Sequence, residues 1–140
     1  MQWHSRFLCL AMLSGLAGIV GCPQPAEVWL APGATVSNVT FLLGPVRGAS
    51  APIAIGTVSV NDCSDSSPIR VGATQWKVHA QDAPVSIASV HYGASPVGFT
   101  VDVPPAPLRA GCFVVAVTGS ASVRFQVLRN GRVIDIGKPW

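Results

Sequence analysis

From Val28 onward, apolar and polar residues alternate with a period of two. Val39, Phe41 and Leu43 are separated by Thr40 and Leu42, and Trp76, Val78 and Ala80 by Lys77 and His79. Val97, Phe99, Val101 and Val103 are separated by Gly98, Thr100 and Asp102, and Val123, Phe125 and Val127 by Arg124 and Gln126. Successive side chains of a strand point to opposite faces, so this pattern puts one face against a core and the other in water. It predicts strands near residues 28–31, 35–43, 53–60, 74–80, 86–92, 97–103, 112–118, 122–129 and 132–136. No stretch beyond Cys22 carries a helical stripe. Prolines at 32, 45, 52, 68, 84, 96, 104, 105 and 107 recur too often for long helices. Trp29, Phe41, Trp76, Phe99, Phe113 and Phe125 mostly fall on the inward parity and are the expected core. Tyr92 and Trp140 are not placed by it.

The turn residues divide the same pattern. Asn130-Gly131 suits a two-residue type I′ hairpin, in which both central residues take positive φ. Gly119-Ser120 suits a type II′ turn. The end of the chain therefore reads as a three-strand meander, entered through the crossing loop Pro104-Pro105-Ala106-Pro107. Short strands with regular turns predict an all-β, antiparallel β-sandwich. A small β-barrel is the alternative, because alternation does not report whether a sheet closes on itself.

The N-terminus has a different pattern. After Arg6 an apolar run extends from Phe7 to Val20 and ends at the small residue Gly21. A basic start, a short apolar centre and a small residue at the cut describe a secretory signal. The run is shorter than the roughly 20 residues of a spanning helix, and Pro23 and Pro25 oppose a helical continuation. Residues 1–21 are thus expected to be a signal peptide, 22–27 a Pro-rich tether and 28–140 one domain.

The sequence Ile19-Val20-Gly21-Cys22 resembles the lipobox of bacterial lipoproteins. The resemblance covers residues 6–23, and Val20 stands where Ala or Ser is commoner. It implies cleavage before Cys22, a diacylglycerol on its sulfur and acylation of the new amino group. Stable anchoring takes more than one chain, at about 0.8 kcal/mol per buried methylene. It also implies a cell-envelope location, the outer membrane if the cell is Gram-negative, since Pro23 is not the aspartate of inner-membrane retention. A second, shorter resemblance runs from Pro107 through Leu108, Gly111 and Phe113 to Thr118, and on through Val123-Arg-Phe-Gln-Val127. It is similar to the closing hairpin of immunoglobulin-like bacterial surface domains, and it implies an immunoglobulin-like sandwich.

Removing 1–21 of the 140 residues leaves 119, long enough for one real core. Of nine Lys and Arg, the mature part loses only Arg6, so eight face six Asp and Glu for a net +2. This balance calls for no nucleic acid. Cys9 lies in the discarded signal and Cys22 is the lipidation candidate. Cys63 and Cys112 remain as a pair in an oxidising compartment, where a disulfide is the default. Cys63 lies in the polar run 61–68, so the staple is expected at the edge of the sandwich.

Candidate chemistry is sparse. Glu27 is the only glutamate, and Asp62, Asp65, Asp82, Asp102 and Asp135 are scattered. His79 falls on the wet parity and His91 ends a strand, so a surface and a loop histidine are expected. The pairing of nucleophile, base and orienting group that covalent catalysis needs is not legible. The polar run 61–67 could offer oxygens to calcium, but a pinned turn explains it as well. No metal, cofactor or catalytic residue is expected. The expectation is a non-enzymatic, lipid-anchored envelope module that contacts another envelope protein by an exposed face or strand edge. The alternatives are a glycan or small-ligand binder using exposed aromatics near Tyr92 or Trp140, and an inhibitor of an extracellular hydrolase presenting loop 62–68 or 104–109.

Overall fold

A computed structural model describes residues 26–63, 71–117 and 121–137. The signal segment, Cys22 and the Gly119-Ser120 turn lie outside these residues. The described chain forms eleven strands and, among these residues, no helix: β1 (Glu27–Leu30), β2 (Thr40–Gly44), β3 (Ile53–Ile55), β4 (Thr57–Cys63), β5 (Val71–Ala80), β6 (Val85–Ile87), β7 (Ser89–His91), β8 (Phe99–Val103), β9 (Gly111–Val117), β10 (Ala121–Val127) and β11 (Val133–Gly137).

All pairings are antiparallel. A six-stranded sheet runs β11-β10-β9-β4-β5-β8, a three-stranded sheet β1-β2-β7, and β3 pairs with β6. The expected meander is present as β9-β10-β11. One core is shared by all the sheets. Val28, Leu30, Phe41, Leu43, Ile53 and Ile55 of the small sheets meet Val58, Val60, Trp76, Val78, Val115, Val123 and Phe125 of the large one. The six aromatics predicted for the interior are all buried. Phe125 stands at the centre of three of them, its ring centroid 5.4 Å from Phe41 and 5.5 Å from Phe113. Each such side chain removed from water contributes about 1.5–3 kcal/mol, before ordering costs.

The alternation fails at particular places. The expected strand 35–43 starts only at Thr40, because Thr35 and Asn38 close a turn on each other. The expected strands 53–60 and 86–92 are each broken, at Gly56 and Ala88, into pieces that serve different sheets. Glu27, expected in the tether, begins β1. Asn61, Asp62 and Cys63, expected in a loop, end β4. Val97 and Val101, expected inside, are 94% and 41% exposed. Val97 precedes β8, and Val101 shares the inward face of its partner Val78 but sits on an edge strand with no neighbour beyond it; the register shift between Lys77 and Val78 turns only Val103, to the face of Lys77.

The hairpin at Asn130-Gly131 has three loop residues rather than two. The Leu128 N–H donates to Arg132 C=O at 2.8 Å and the Gly131 N–H to Leu128 C=O at 2.9 Å. Only the third loop position, Gly131 with φ +83°, then needs the left-handed region. Gly44 has another reason to be glycine. The loop after β2 folds back so tightly that a Cβ there would overlap the Ala49 carbonyl.

Cys63 and Cys112 are joined, with Cα atoms 5.2 Å apart. The bond links neighbouring strands of one sheet, β4 and β9, rather than crossing between sheets as a sandwich staple would. It continues a register in which Asp62 faces Phe113 and Asn61 faces Val114. The loop it closes, with a sequence separation of 49, corresponds to roughly 4 kcal/mol in the chain-entropy description.

Candidate functional site

Three constellations bring together residues far apart in sequence. The first lies on the face of the large sheet turned away from the core. Register sets three rows of side chains across it: Ser122, Ala116, Ser59 and Lys77; Arg124, Val114, Asn61 and Thr74; Gln126 and the cystine. Asn61 is only 7% exposed, yet its amide is satisfied. Its Nδ2 donates to Ser59 Oγ at 3.1 Å, and its Oδ1 accepts from Thr74 Oγ1 at 2.7 Å. Arg124 leans along the face, and its Nη2 donates to Cys112 Sγ at 3.7 Å. Both cysteines are half-buried there.

At the β8 edge of that face, His79 and Asp102 form a pair, Nδ1 to Oδ1 at 2.7 Å. His79 is therefore partnered rather than simply solvated. The pair arises from the bulge: Val78 faces Val101 and Lys77 faces Val103, which leaves Asp102 as the extra residue beside His79. A bulge is not legible from alternation, so the 23-residue spacing gives no warning. The neighbouring Gln81 Nε2 donates to Thr100 Oγ1 at 2.7 Å. The pair lies partly exposed on a strand face rather than inside a cleft. His91 is also engaged, its Nδ1 3.0 Å from Thr40 Oγ1.

The second constellation closes one end of the core. Tyr92 stands edge-on to Trp76, with centroids 5.3 Å apart and planes at 63°. Its hydroxyl donates to Ala106 C=O at 2.6 Å, and the Ala106 N–H donates to Gln75 C=O at 2.9 Å. The crossing loop is thus tied down, with Leu108 buried beneath it. Burial raises the Tyr92 phenol above its ordinary value of 10.0, with the Asp62 charge adding to the effect and the hydrogen bond to Ala106 opposing it. Tyr92 is half-buried. Within residues 104–109, Ala106 and Leu108 are held against the core, and Pro104, Pro105, Pro107 and Arg109 are exposed. Loop 62–68, the other loop considered for inhibition, lies mostly outside the described residues, as does Trp140. Asp62 accepts from Gln75 Nε2 at 3.0 Å, and no cluster of three metal-ligating side chains occurs among the described residues. Trp76 Nε1, fully buried, has no hydrogen-bond partner among the described residues.

The third is the seam between β1 and β11, the facing edges of the small and large sheets. Its upper part is laced by backbone bonds, Val133 N–H to Ala34 C=O at 3.0 Å and Val36 N–H to Gly131 C=O at 2.8 Å. Its lower part is bridged by Asp135. That carboxylate accepts from Arg47 Nη2 at 2.6 Å, from the Leu30 N–H at 3.4 Å and from the Gly137 N–H at 2.8 Å. Between the two parts lies a shallow cleft of about 300 Å³, with Leu30, Pro32, Ala34, Arg132, Ile134 and Asp135 in its wall. Two residues 88 apart in the chain make its ion pair, which no local motif announces.

Comparison with protein-family models, with curated proteins and with solved structures returns no match to this chain.

Proposed function

We propose that the chain is a lipid-anchored envelope module that acts by binding another envelope protein, not by catalysis. The observation that carries this reading is the segment Ile19-Val20-Gly21-Cys22 at the end of a short apolar run. Anchor and fold are then separate devices. Cys22 carries the acyl chains, residues 22–26 span the headgroups, and β1 begins the folded domain at Glu27. We read the domain as an immunoglobulin-like sandwich. The β9–β10 hairpin and the buried Trp76 support that architecture, whereas the in-sheet disulfide sets it apart from antibody domains.

The contact surface in this reading is the outer face of the six-stranded sheet. It presents Ser59, Lys77, Arg124 and Gln126, and no core residue depends on its side chains. The edges of the sheet are less suited. The start of β11 is bonded to Ala34 and the rest of it lies along the Asp135 seam, and β8 is flanked by Pro96 and Pro104.

Intact mass of the protein from its native membranes tests the anchor. A chain starting at Cys22 with diacylglycerol and an amide-linked acyl group is expected; an unmodified Cys22 or retained residues 1–21 overturns it. Crosslinking from Lys77→Cys and Gln126→Cys in membranes tests the partner. Reproducible capture of one envelope protein is expected, and none from either position overturns the interaction reading.

The cleft beside Arg132 favours a second reading, a small-ligand module. Its occupant would sit at the β1–β11 seam rather than at Tyr92. Chemical-shift changes confined to Leu30, Ala34 and Ile134 on addition of envelope extract would support it over the first.

A further inference from the structure

The cystine lies on the outer face, not in the core, and among the described residues a cation stands beside Cys112 alone. Arg124 Nη2 is 3.7 Å from Cys112 Sγ, and no described residue gives Cys63 an equivalent cation. Arg124 is half-buried, and no carboxylate pairs with it among the described residues. A neutral disulfide sulfur is a weak acceptor for such a guanidinium. A thiolate in the same place is a full counter-charge. Cations beside a cysteine favour its thiolate, and stabilising the reduced form makes a disulfide easier to reduce.

The fold does not need the bond to hold its register. β4 and β9 pair from Val58 with Val117 to Asp62 with Phe113, next to the cystine. Buried Val58, Val60, Val115 and Val117 fix that register from the other face. Opening the bond removes a loop constraint, and neither cysteine is one of the core side chains.

We propose that Cys63–Cys112 is an exchangeable disulfide, a reaction site for a dithiol protein, with Cys63 as the attacked sulfur and Cys112 as the leaving thiolate held by Arg124. In the first step the partner's thiolate bonds to Cys63 Sγ, the Cys63–Cys112 bond breaks, and its electron pair remains on Cys112 Sγ. In the second step the partner's other thiol, losing its proton to solvent, attacks its own sulfur in the mixed disulfide and releases Cys63 as a thiolate. Two electrons pass to the chain, which takes up protons on its thiols as pH requires, and the partner becomes a disulfide. The reverse sequence reoxidises the chain. This site does not depend on the lipid anchor; it lies on the proposed contact face and shares Arg124 with it, but its redox test needs no envelope partner and so fails separately from that reading.

The test equilibrates the folded domain, residues 22–140 with Cys22→Ser, against glutathione buffers. Wild type, Arg124→Gln and Arg124→Lys are compared, with circular dichroism confirming the fold of each reduced form. Arg124→Gln is expected to shift the equilibrium about tenfold towards the disulfide, which is about 30 mV, and Arg124→Lys to restore most of the shift. A thioredoxin variant lacking its resolving cysteine is then used to trap the mixed disulfide, and peptide mass spectrometry locates it. Capture at Cys63 is expected. Equal constants for wild type and Arg124→Gln, capture at Cys112, or loss of sheet signal on reduction of the wild type would each overturn the proposal.

Discussion

Asp135 holds Arg47 at 2.6 Å across the mouth of the seam between two sheets whose edge strands form no continuous ladder there. The carboxylate replaces part of that ladder, since it also accepts the Leu30 and Gly137 N–H groups. The ion pair itself is partly exposed, 46% on the arginine side and 20% on the aspartate side, so Arg47→Ala should cost about 0–1 kcal/mol. Asp135→Ala strands two backbone donors as well, and should cost about 1–3 kcal/mol. Urea unfolding of the two variants separates these contributions. Equal midpoints would mean that the backbone bonds to Asp135 contribute nothing.

Tyr92 gives the domain an alkaline limit. Its folded pKa is raised above the unfolded 10.0, so the folded state keeps a proton that the unfolded state loses. Stability is therefore whole below pH 10.0 and falls as pH rises through 10.0 towards the folded value. Tyr92→Phe should lower the urea midpoint at neutral pH, because the Ala106 carbonyl loses its donor at about 1 kcal/mol. It should also flatten the fall above about pH 10. The measurement is the urea midpoint against pH for both proteins, and parallel curves would remove Tyr92 as the cause.

The interior was largely legible before the fold was known. Phe41, Trp76, Val78, Val123, Phe125 and Val127 follow a rule that depends only on the pleat of a strand, and Ala80, on the same parity, is the half-buried exception. Legibility ended where the chain departs from a regular pleat. The bulge in β5–β8 set Val103 opposite Lys77 on the outer face and left Asp102 beside His79. The turn closed by Thr35 and Asn38 shortened one strand. Side-chain contacts across sheets, such as Arg47 with Asp135, depend on strand order, which alternation does not encode. The staple shows the same gap: two lone cysteines identified their pairing, but only strand order shows that it lies within one sheet.

Phe125 should be the most costly single truncation of the meander. It is fully buried, and its ring lies between Phe41 of the small sheet and Phe113 of the neighbouring strand. Phe125→Ala leaves a cavity that both remaining rings line, at about 3–5 kcal/mol. Phe125→Leu fills most of that space and should recover more than half of the loss. Thermal unfolding followed by near-ultraviolet circular dichroism reads both stability and aromatic packing. A cost under about 1 kcal/mol for the alanine variant would show that the core collapses freely around the site.

Asp102 should protect the β8 edge from pairing with other chains. An edge strand presents unpaired backbone groups, and proteins blunt such edges with prolines, charges and bulges. β8 has all three: Pro96 and Pro104 flank it, the register shifts along it, and Asp102 is the extra residue at that shift. The apolar residues beside it would otherwise favour association, since Val97 is 94% and Val101 41% exposed. Asp102→Val should therefore leave the monomer's stability within about 1 kcal/mol, because the lost hydrogen bond with His79 is itself partly exposed. It should nevertheless drive concentration-dependent self-association. Asp102→Asn also removes the carboxylate, but its short polar side chain keeps the bulge position hydrated, so it should remain monomeric. Sedimentation velocity over a concentration series distinguishes them. If Asp102→Val sediments as a monomer at every concentration, the prolines and the bulge suffice, and the aspartate is there for His79 alone.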